Sequence, residues 1–273
     1  MTDARACDGP RARERALAVA EAAAREAGAL LLAHFGRLDE RTIGRKSARR
    51  DLVTAADLAS ERAIVARLRA AFPEHAIEAE EEVRDGGDSA RGARWFLDPL
   101  DGTVNFVHRL PCFGVSLALY DAGVPEVAVV HAPALGETFS AVRGGGAFLN
   151  GARLSVSSAT ELSEALLATG FAYRRSELAN DNLANFAAFL HDVRDLRRMG
   201  SAALDLSWTA AGRFDGYWEL HLSPHDVAAG ALLVREAGGL VTDALGGEHW
   251  LRGGSIIAAG PGLHARIRAQ IKV

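Results

Sequence analysis

Lysine is almost missing from this chain, and cysteine is too scarce to brace a fold. Lys46 and Lys272 are the only lysines among 31 basic residues, so arginine carries nearly all the positive charge. There is no lysine tract and no basic stripe, and the net charge is −4. A protein that grips a nucleic-acid backbone shows a concentrated positive footprint, so no nucleic-acid partner is expected. Two cysteines, Cys7 and Cys112, cannot build a disulfide framework. No C-x-x-C or paired Cys/His spacing offers a zinc site. They read as free thiols in a reducing compartment. No run approaches the roughly 20 apolar residues of a membrane span. The stretch from Met1 to Arg13 has mixed charge and lacks the apolar centre of a secretory signal. A cytoplasmic protein without a membrane partner is the expectation.

What is present is ordinary for a globular protein: 273 residues, 49% hydrophobic and 24% charged. That length can bury a sizeable core. Residues 1–10 read as a disordered tail. Arg11 to about Phe35 is rich in Ala, Glu and Leu and predicts a long helix, with Gly36 suited to its C-terminal end. Thr54 and Asp57 have capping-box spacing ahead of a second helix that Pro73 ends. From Trp95 the pattern turns to strands: 114–120, 124–132 and 137–142, with Asn150-Gly151 a hairpin turn. The second half alternates. Helices are expected over 178–190, 201–211, 227–237 and 263–271, and strands over 166–169, 216–219 and 255–259. Layered sheets and helices follow, in one compact unit. Its two halves are 11–150, which carries the candidate metal and phosphate residues, and 151–273, which completes the site.

The segment Asp98-Pro99-Leu100-Asp101-Gly102-Thr103 carries the most chemistry. A strand delivers Asp98, Pro99 fixes φ, and Asp101 can return beside Asp98. Gly102 and Thr103 then stand where a short helix could begin, with amides facing an anion. Taken alone, the segment is equally an ordinary turn. Glu80, Glu81 and Glu82 after a short strand read, by themselves, as a solvated acidic loop. Asp226 and Asp57 read as helix caps. Four separate segments thus put an acid at a strand end or helix start. If they converge, two such charges about 4 Å apart repel by roughly 4 kcal/mol at an effective dielectric near 20. Such a cluster needs cations. An all-oxygen donor set selects Mg²⁺, Mn²⁺ or Ca²⁺ over Zn²⁺.

In order along the chain, Thr54-Ala55-Ala56-Asp57, Ala79-Glu80-Glu81, Trp95 to Phe106, Gly200-Ser201-Ala202-Ala203 and His225-Asp226-Val227-Ala228-Ala229-Gly230 resemble the motifs of the inositol monophosphatase family. The likeness spans Lys46 to about Gly239. It implies an α/β (α+β) fold, the layered α-β-α-β-α sandwich of the inositol monophosphatase and fructose-1,6-bisphosphatase type. It also implies roles. Glu80, Asp98 and the Leu100 carbonyl would hold one Mg²⁺, and Asp98, Asp101 and Asp226 a second. Lys46 and Asp51 would lie on a mobile loop near a third, weaker position. The Gly102 and Thr103 amides would hold phosphate. Glu80 and Thr103, with Asp57 behind Thr103, would activate water. Asp101, Ala202 and Glu219 would contact substrate hydroxyls. Mn²⁺ could replace Mg²⁺, while Ca²⁺ or Li⁺ would inhibit, and a homodimer is implied.

The implied reaction is Mg²⁺-dependent hydrolysis of a small phosphorylated polyol, inositol-1-phosphate first. Three positions depart from the family pattern: His225 for Trp, Ala79 for Gly and Val104 for Thr. His225 reads as a changed packing contact on the pocket wall. Ala79 puts the local backbone in question, since Gly can serve there for φ > 0. The metal core does not separate inositol phosphatases from histidinol-phosphatases, fructose-1,6-bisphosphatases or nucleotide 3′-phosphatases. Glu219 suits a polyol, and equally a cationic substrate. Arg197 and Arg198 read as solvated surface rather than pocket rim. A regulatory protein that keeps the fold without turnover is the rival from another class. An acidic calcium binder is disfavoured, because EF-hand spacing is lacking.

Overall fold

The computed structural model describes residues 9–38, 43–45, 52–85 and 92–273. Lys46 and Asp51, and residues 1–8 of the expected tail, lie outside the described residues; Pro10 already belongs to the first helix.

Helix α1 (Pro10–His34) starts with proline in its first turn, where a missing N–H costs nothing. It buries Ala16, Ala20, Ala23, Ala24, Ala27 and Leu31. These small side chains let the helix lie close against a sheet. At Gly28 the approach is closest: a Cβ there would stand 2.6 Å from the His131 ring. Gly36, at φ +74°, lets the chain leave the helix. A two-strand ribbon, β1 (Gly44–Arg45) with β2 (Leu52–Val53), precedes α2 (Ala55–Ala71). The Thr54–Asp57 capping box is formed as the spacing predicts.

The larger sheet contains β3 (Ala76–Ala79), β4 (Ala93–Asp101), β5 (Gly114–Asp121), β6 (Val124–Ala132), β7 (Glu137–Val142), β8 (Gly146–Leu149) and β9 (Ala152–Arg153). They lie side by side in that order. Only β3 and β4 run parallel. A short helix, α3 (Thr103–Val107), follows β4. Strand β4 is buried along its whole length, which requires cover on both faces. Trp95 and Leu97 pack toward α1 and α2, while Phe96 packs the other way.

The smaller sheet holds β10 (Leu166–Thr169), β11 (Asp195–Arg197), β12 (Gly216–Leu220), β13 (Leu240–Thr242) and β14 (Ser255–Ala259), in the order β11-β10-β12-β14-β13. Helices α5 (Ala202–Ala210) and α6 (Pro224–Glu236) fill the space between the sheets, with Leu204, Leu206, Ala229 and Leu233 in the shared core. Helices α4 (Leu183–Leu190) and α7 (His264–Gln270) cover the outer face against Leu167, Trp218 and Ile257. The layers are therefore α-β-α-β-α. Among the described residues no helix is long and apolar enough to cross a membrane.

Three local expectations need correction. The strand bearing Asp98 does not end there; β4 continues to Asp101 with a register shift between the two acids. Pro99 lacks a ladder donor, so the irregularity falls where it costs least. The helix expected over 178–190 begins only at Leu183, because Asn182 sits at φ 72° and breaks the helical path. Strands β11 and β13 were not expected; three residues each carry too little pattern to be read.

Candidate active site

Five chain segments meet at one cavity of about 610 Å³. Glu80 follows β3, and its amide donates to the Leu97 carbonyl of the neighbouring strand at 3.1 Å. Buried Glu61 of α2 fixes the turn after it, accepting from the amides of Glu81, Glu82 and Val83 at 2.9, 2.7 and 3.0 Å. The acidic run is thus folded back by a carboxylate rather than left in solvent. Nothing in the periodicity marks Glu61 for this role. Ala79 does not need a positive φ, so the family's usual glycine is dispensable here.

The bulge in β4 presents Asp98 and Asp101 on the same edge. Asp98 Oδ1 accepts from the Leu100 amide at 2.9 Å, and Asp98 is only 2% exposed. Gly102 turns the chain at φ 89°; a Cβ there would meet the Cys112 carbonyl at 2.8 Å. The Thr103 hydroxyl has the Leu100 carbonyl at 3.0 Å and Asp57 Oδ1 at 3.2 Å. Asp57 Oδ2 takes the Thr54 amide at 2.8 Å and hydroxyl at 2.5 Å, so one residue both caps α2 and backs Thr103.

The second half closes the site. Asp101 Oδ2 accepts from the Ser201 hydroxyl at 2.6 Å and the Ala203 amide at 2.7 Å. Ala202 lines the cavity between them. Asn105, inside the Trp95 to Phe106 motif, ties α3 to the carbonyls of Cys112 and Met199 at 2.7 and 2.8 Å. Asp226 caps α6, its Oδ2 accepting from the Ser223 amide at 2.6 Å, and it lines the cavity too. His225 stands on the wall with Nε2 3.7 Å from Asp226 Oδ1. Glu219 is held by the Tyr217 hydroxyl, which donates to its Oε2 at 2.5 Å. Gly170 leaves the carboxylate its berth, since a Cβ there would fall 2.0 Å from Oε2.

Burial and mutual charge dominate the electrostatics. Asp98 is driven well above the usual carboxylate range, first by burial and then by Glu80, Asp101 and Asp226. Burial lifts Asp101 to about 7 against the bonds from Ser201 and Ala203. It lifts Glu219 to about 8 against the bond from Tyr217. Tyr173, absent from the sequence reading, feels all four of Asp101, Glu80, Asp226 and Asp98 and overlooks the cluster. Among the described residues no three His, Cys, Asp or Glu side chains already form a closed metal cage. The acids are nonetheless electrostatic neighbours: Glu80, Asp101 and Asp226 line the cavity, and Asp98 is buried beside them. Hard, mutually repelling oxygen donors, Asp98 and Asp101 buried and Glu80 and Asp226 half-buried, fit Mg²⁺. Glu80, Asp98, the Leu100 carbonyl, Asp101 and Asp226 are the groups that would hold it. Cys112 is no nucleophile candidate, because burial pushes its thiol up to about 12.

The sequence profile of the inositol monophosphatase family matches residues 12–272. The chain is 47% identical to Nus factor SuhB of Pseudomonas aeruginosa over 245 residues, 89% of this chain and 90% of that protein. It is 44% identical to Nus factor SuhB of Escherichia coli K12, covering 90% and 91%. Among solved structures, inositol monophosphatase from Anabaena superposes with TM-score 0.85 at 40% identity, covering 94% of this chain and 95% of that one. The suhB extragenic suppressor protein of Bartonella henselae superposes with TM-score 0.87 at 38% identity, covering 94% and 98%. A match of this extent over fold and motifs alike means that the chain belongs to the inositol monophosphatase family.

Proposed function

We propose that the protein is a Mg²⁺-dependent phosphatase acting on a small phosphorylated polyol, inositol-1-phosphate first among them, in the cytoplasm and as a homodimer. The observation that carries this reading is the electrostatic cluster of Glu80, Asp98, Asp101 and Asp226 beside the Gly102-Thr103 turn, with Glu80, Asp101 and Asp226 lining one cavity. When bound, Mg²⁺ supplies charge neutralisation for the phosphate and lowers the pKa of water. The remaining steps belong to the protein. The Gly102 and Thr103 amides open α3 and orient phosphoryl oxygens. The Thr103 hydroxyl, passing its hydrogen to Asp57, presents lone pairs to a water that Glu80 holds from the other side. Glu219 and the Ala202 backbone receive the hydroxyls of the leaving polyol. Lys46 and Asp51 are proposed to act from the loop before α2.

The test is phosphate release with and without Mg²⁺ over inositol-1-phosphate, fructose-1,6-bisphosphate, histidinol phosphate and a 3′-phosphonucleotide. Mg²⁺-dependent release strongest with inositol-1-phosphate supports the reading; no release from any of the four sinks it.

A second reading is favoured by one observation. The relatives at 42–47% identity carry the name Nus factor SuhB, or putative Nus factor SuhB. A Nus-factor role that uses the folded surface without turnover is compatible with an intact acid cluster. Asp98→Asn separates the two: a Nus-factor assay in cells that this variant complements as well as wild type makes turnover dispensable for that role.

A further inference from the structure

Most of the cations around the cavity are engaged by the protein itself. Arg174 pairs with Glu177 at 3.0 Å, and Arg84 reaches the Glu80 carbonyl at 3.4 Å. Arg197, next along the chain, turns away to Asp195 on the surface. Arg198 differs. Its guanidinium lines the cavity, and among the described residues no carboxylate lies within ion-pair distance of it. Its place is built. Gly200, at φ 87°, has no side chain, and a Cβ there would stand 2.4 Å from Arg198 Nη1. The guanidinium therefore rests on the Gly200 backbone, beside the Asn105 amide that pins this loop.

Arg198 faces a definite set of groups. Its charge is felt by Glu219 and Asp205, opposing the rise that burial imposes on both. Glu219 does not pair with it, because Tyr217 and the Gly170 berth hold that carboxylate in place. The same cavity thus offers a hydroxyl acceptor, Glu219, and a five-donor cation with unused bonds. A polyol held by Glu219 would place part of its skeleton against that cation. A neutral hydroxyl there leaves most of the guanidinium's capacity idle, whereas a carboxylate or phosphate can take two parallel bonds from it.

We propose that Arg198 is a specificity-determining residue that widens the substrate range beyond inositol-1-phosphate, by strengthening the binding of phosphate monoesters that carry a second anionic group, carboxylate or phosphate, on the polyol. The proposal rests on the phosphatase reading for its chemistry, yet affinity tests it without turnover. Two matched ligand pairs serve as probes: glycerol 3-phosphate against 3-phosphoglycerate, and fructose 1-phosphate against fructose 1,6-bisphosphate. Each is titrated into the full-length protein by calorimetry in Ca²⁺, the ion expected to inhibit turnover, for wild type and Arg198→Gln, and each is assayed separately for phosphate release in Mg²⁺. The member of a pair without the second anionic group controls for any general loss of binding. In at least one pair the wild type should bind the member with the second anionic group at least about tenfold more tightly, the scale of one charge-assisted contact. Arg198→Gln should erase at least most of that ratio. A ratio near one in both pairs for wild type, or a ratio that Arg198→Gln leaves intact, overturns the proposal. Absence of phosphate release from all four ligands would count against the phosphatase reading instead, while the affinity ratios still decide the role of Arg198.

Discussion

The Ser201 hydroxyl donates to Asp101 Oδ2 at 2.6 Å, joining residues a hundred positions apart and tying the start of α5 to the end of β4. The bond fixes an acid in the half of the chain that carries most of the cluster from a helix in the other half. Ser201→Ala should therefore weaken Mg²⁺ binding about tenfold, the loss usual when a partner of a metal ligand is removed. Ser201 also caps α5 through the Leu204 amide at 3.4 Å, so roughly 1 kcal/mol of stability should go with it. Ser201→Thr restores the hydroxyl and should recover both. Mg²⁺ half-saturation and the thermal midpoint are the two measurements. An unchanged Mg²⁺ requirement would show that the Ala203 amide alone suffices.

Asp98→Asn makes a different prediction. Asp98 is buried among like charges, so the amide removes a repulsion at little cost in volume. Turnover should fall by about 10²–10³ or more, as when a group that stabilises transition-state charge is lost. In chelator the variant should melt no lower than wild type. A variant with full activity would reject Asp98 as a metal-holding residue.

Much of this was legible beforehand, and the reasons differ by residue. Asp57 could be found because a capping box has a fixed spacing, and Gly102 because Asp-Pro-x-Asp-Gly-Thr is turn chemistry. Strands β5, β6 and β7 can be read because they are apolar, nearly continuously buried runs separated by short turns. Glu61 could not be found: a glutamate on an Ala-rich helix looks like solvent-facing charge until the loop 81–83 folds onto it. Tyr173 acts through tertiary proximity alone, and no local pattern separates it from other loop residues. Asn105 falls inside the Trp95 to Phe106 motif, but its tie to the Met199 carbonyl shows only in the fold. Arg198 was read as surface for the same cause. Its side chain is exposed, and only the fold shows that the exposure is toward the cavity.

The raised acids also set a pH dependence for the metal-free protein. Asp101 moves from 3.8 to about 7 and Glu219 from 4.5 to about 8 on folding. Between the lower and upper values the native state holds more protons than the unfolded chain, so stability falls as pH rises. In chelator the thermal midpoint should drop steadily from about pH 5 to pH 8 through these groups. Saturating Mg²⁺ should flatten that slope, because a cation stabilises the ionised cluster most where repulsion is greatest. Scanning calorimetry at several pH values with and without Mg²⁺ decides it. Equal slopes in both conditions would mean the cation does not bind this cluster.

Helix packing offers a test independent of chemistry. Gly230 of α6 crosses α5 so closely that a Cβ would stand 2.4 Å from Leu206 Cβ. Both residues are in the core between the two sheets, where overpacking costs about 1–3 kcal/mol. Gly230→Ala should lower stability by that amount in a denaturant titration, despite alanine's better helix propensity. Leu206→Ala should not relieve it, since alanine keeps the Cβ against which the new methyl would stand.

Glu219 decides whether the cavity reads the polyol. The residue is 8% exposed, with its Oε2 taken by Tyr217. Glu219→Gln keeps an oxygen for Tyr217 and turns the amide nitrogen toward the cavity, replacing an acceptor of substrate hydroxyls with a donor. For inositol-1-phosphate, kcat/KM should fall about tenfold through the mismatched hydrogen bond. Mg²⁺ half-saturation should move by less than about twofold, since coupling between sites without a shared contact is small. p-Nitrophenyl phosphate, which has no hydroxyl to offer, should be hydrolysed as by wild type. If instead the Mg²⁺ requirement shifts and the two substrates suffer alike, Glu219 serves the acid cluster and not the polyol.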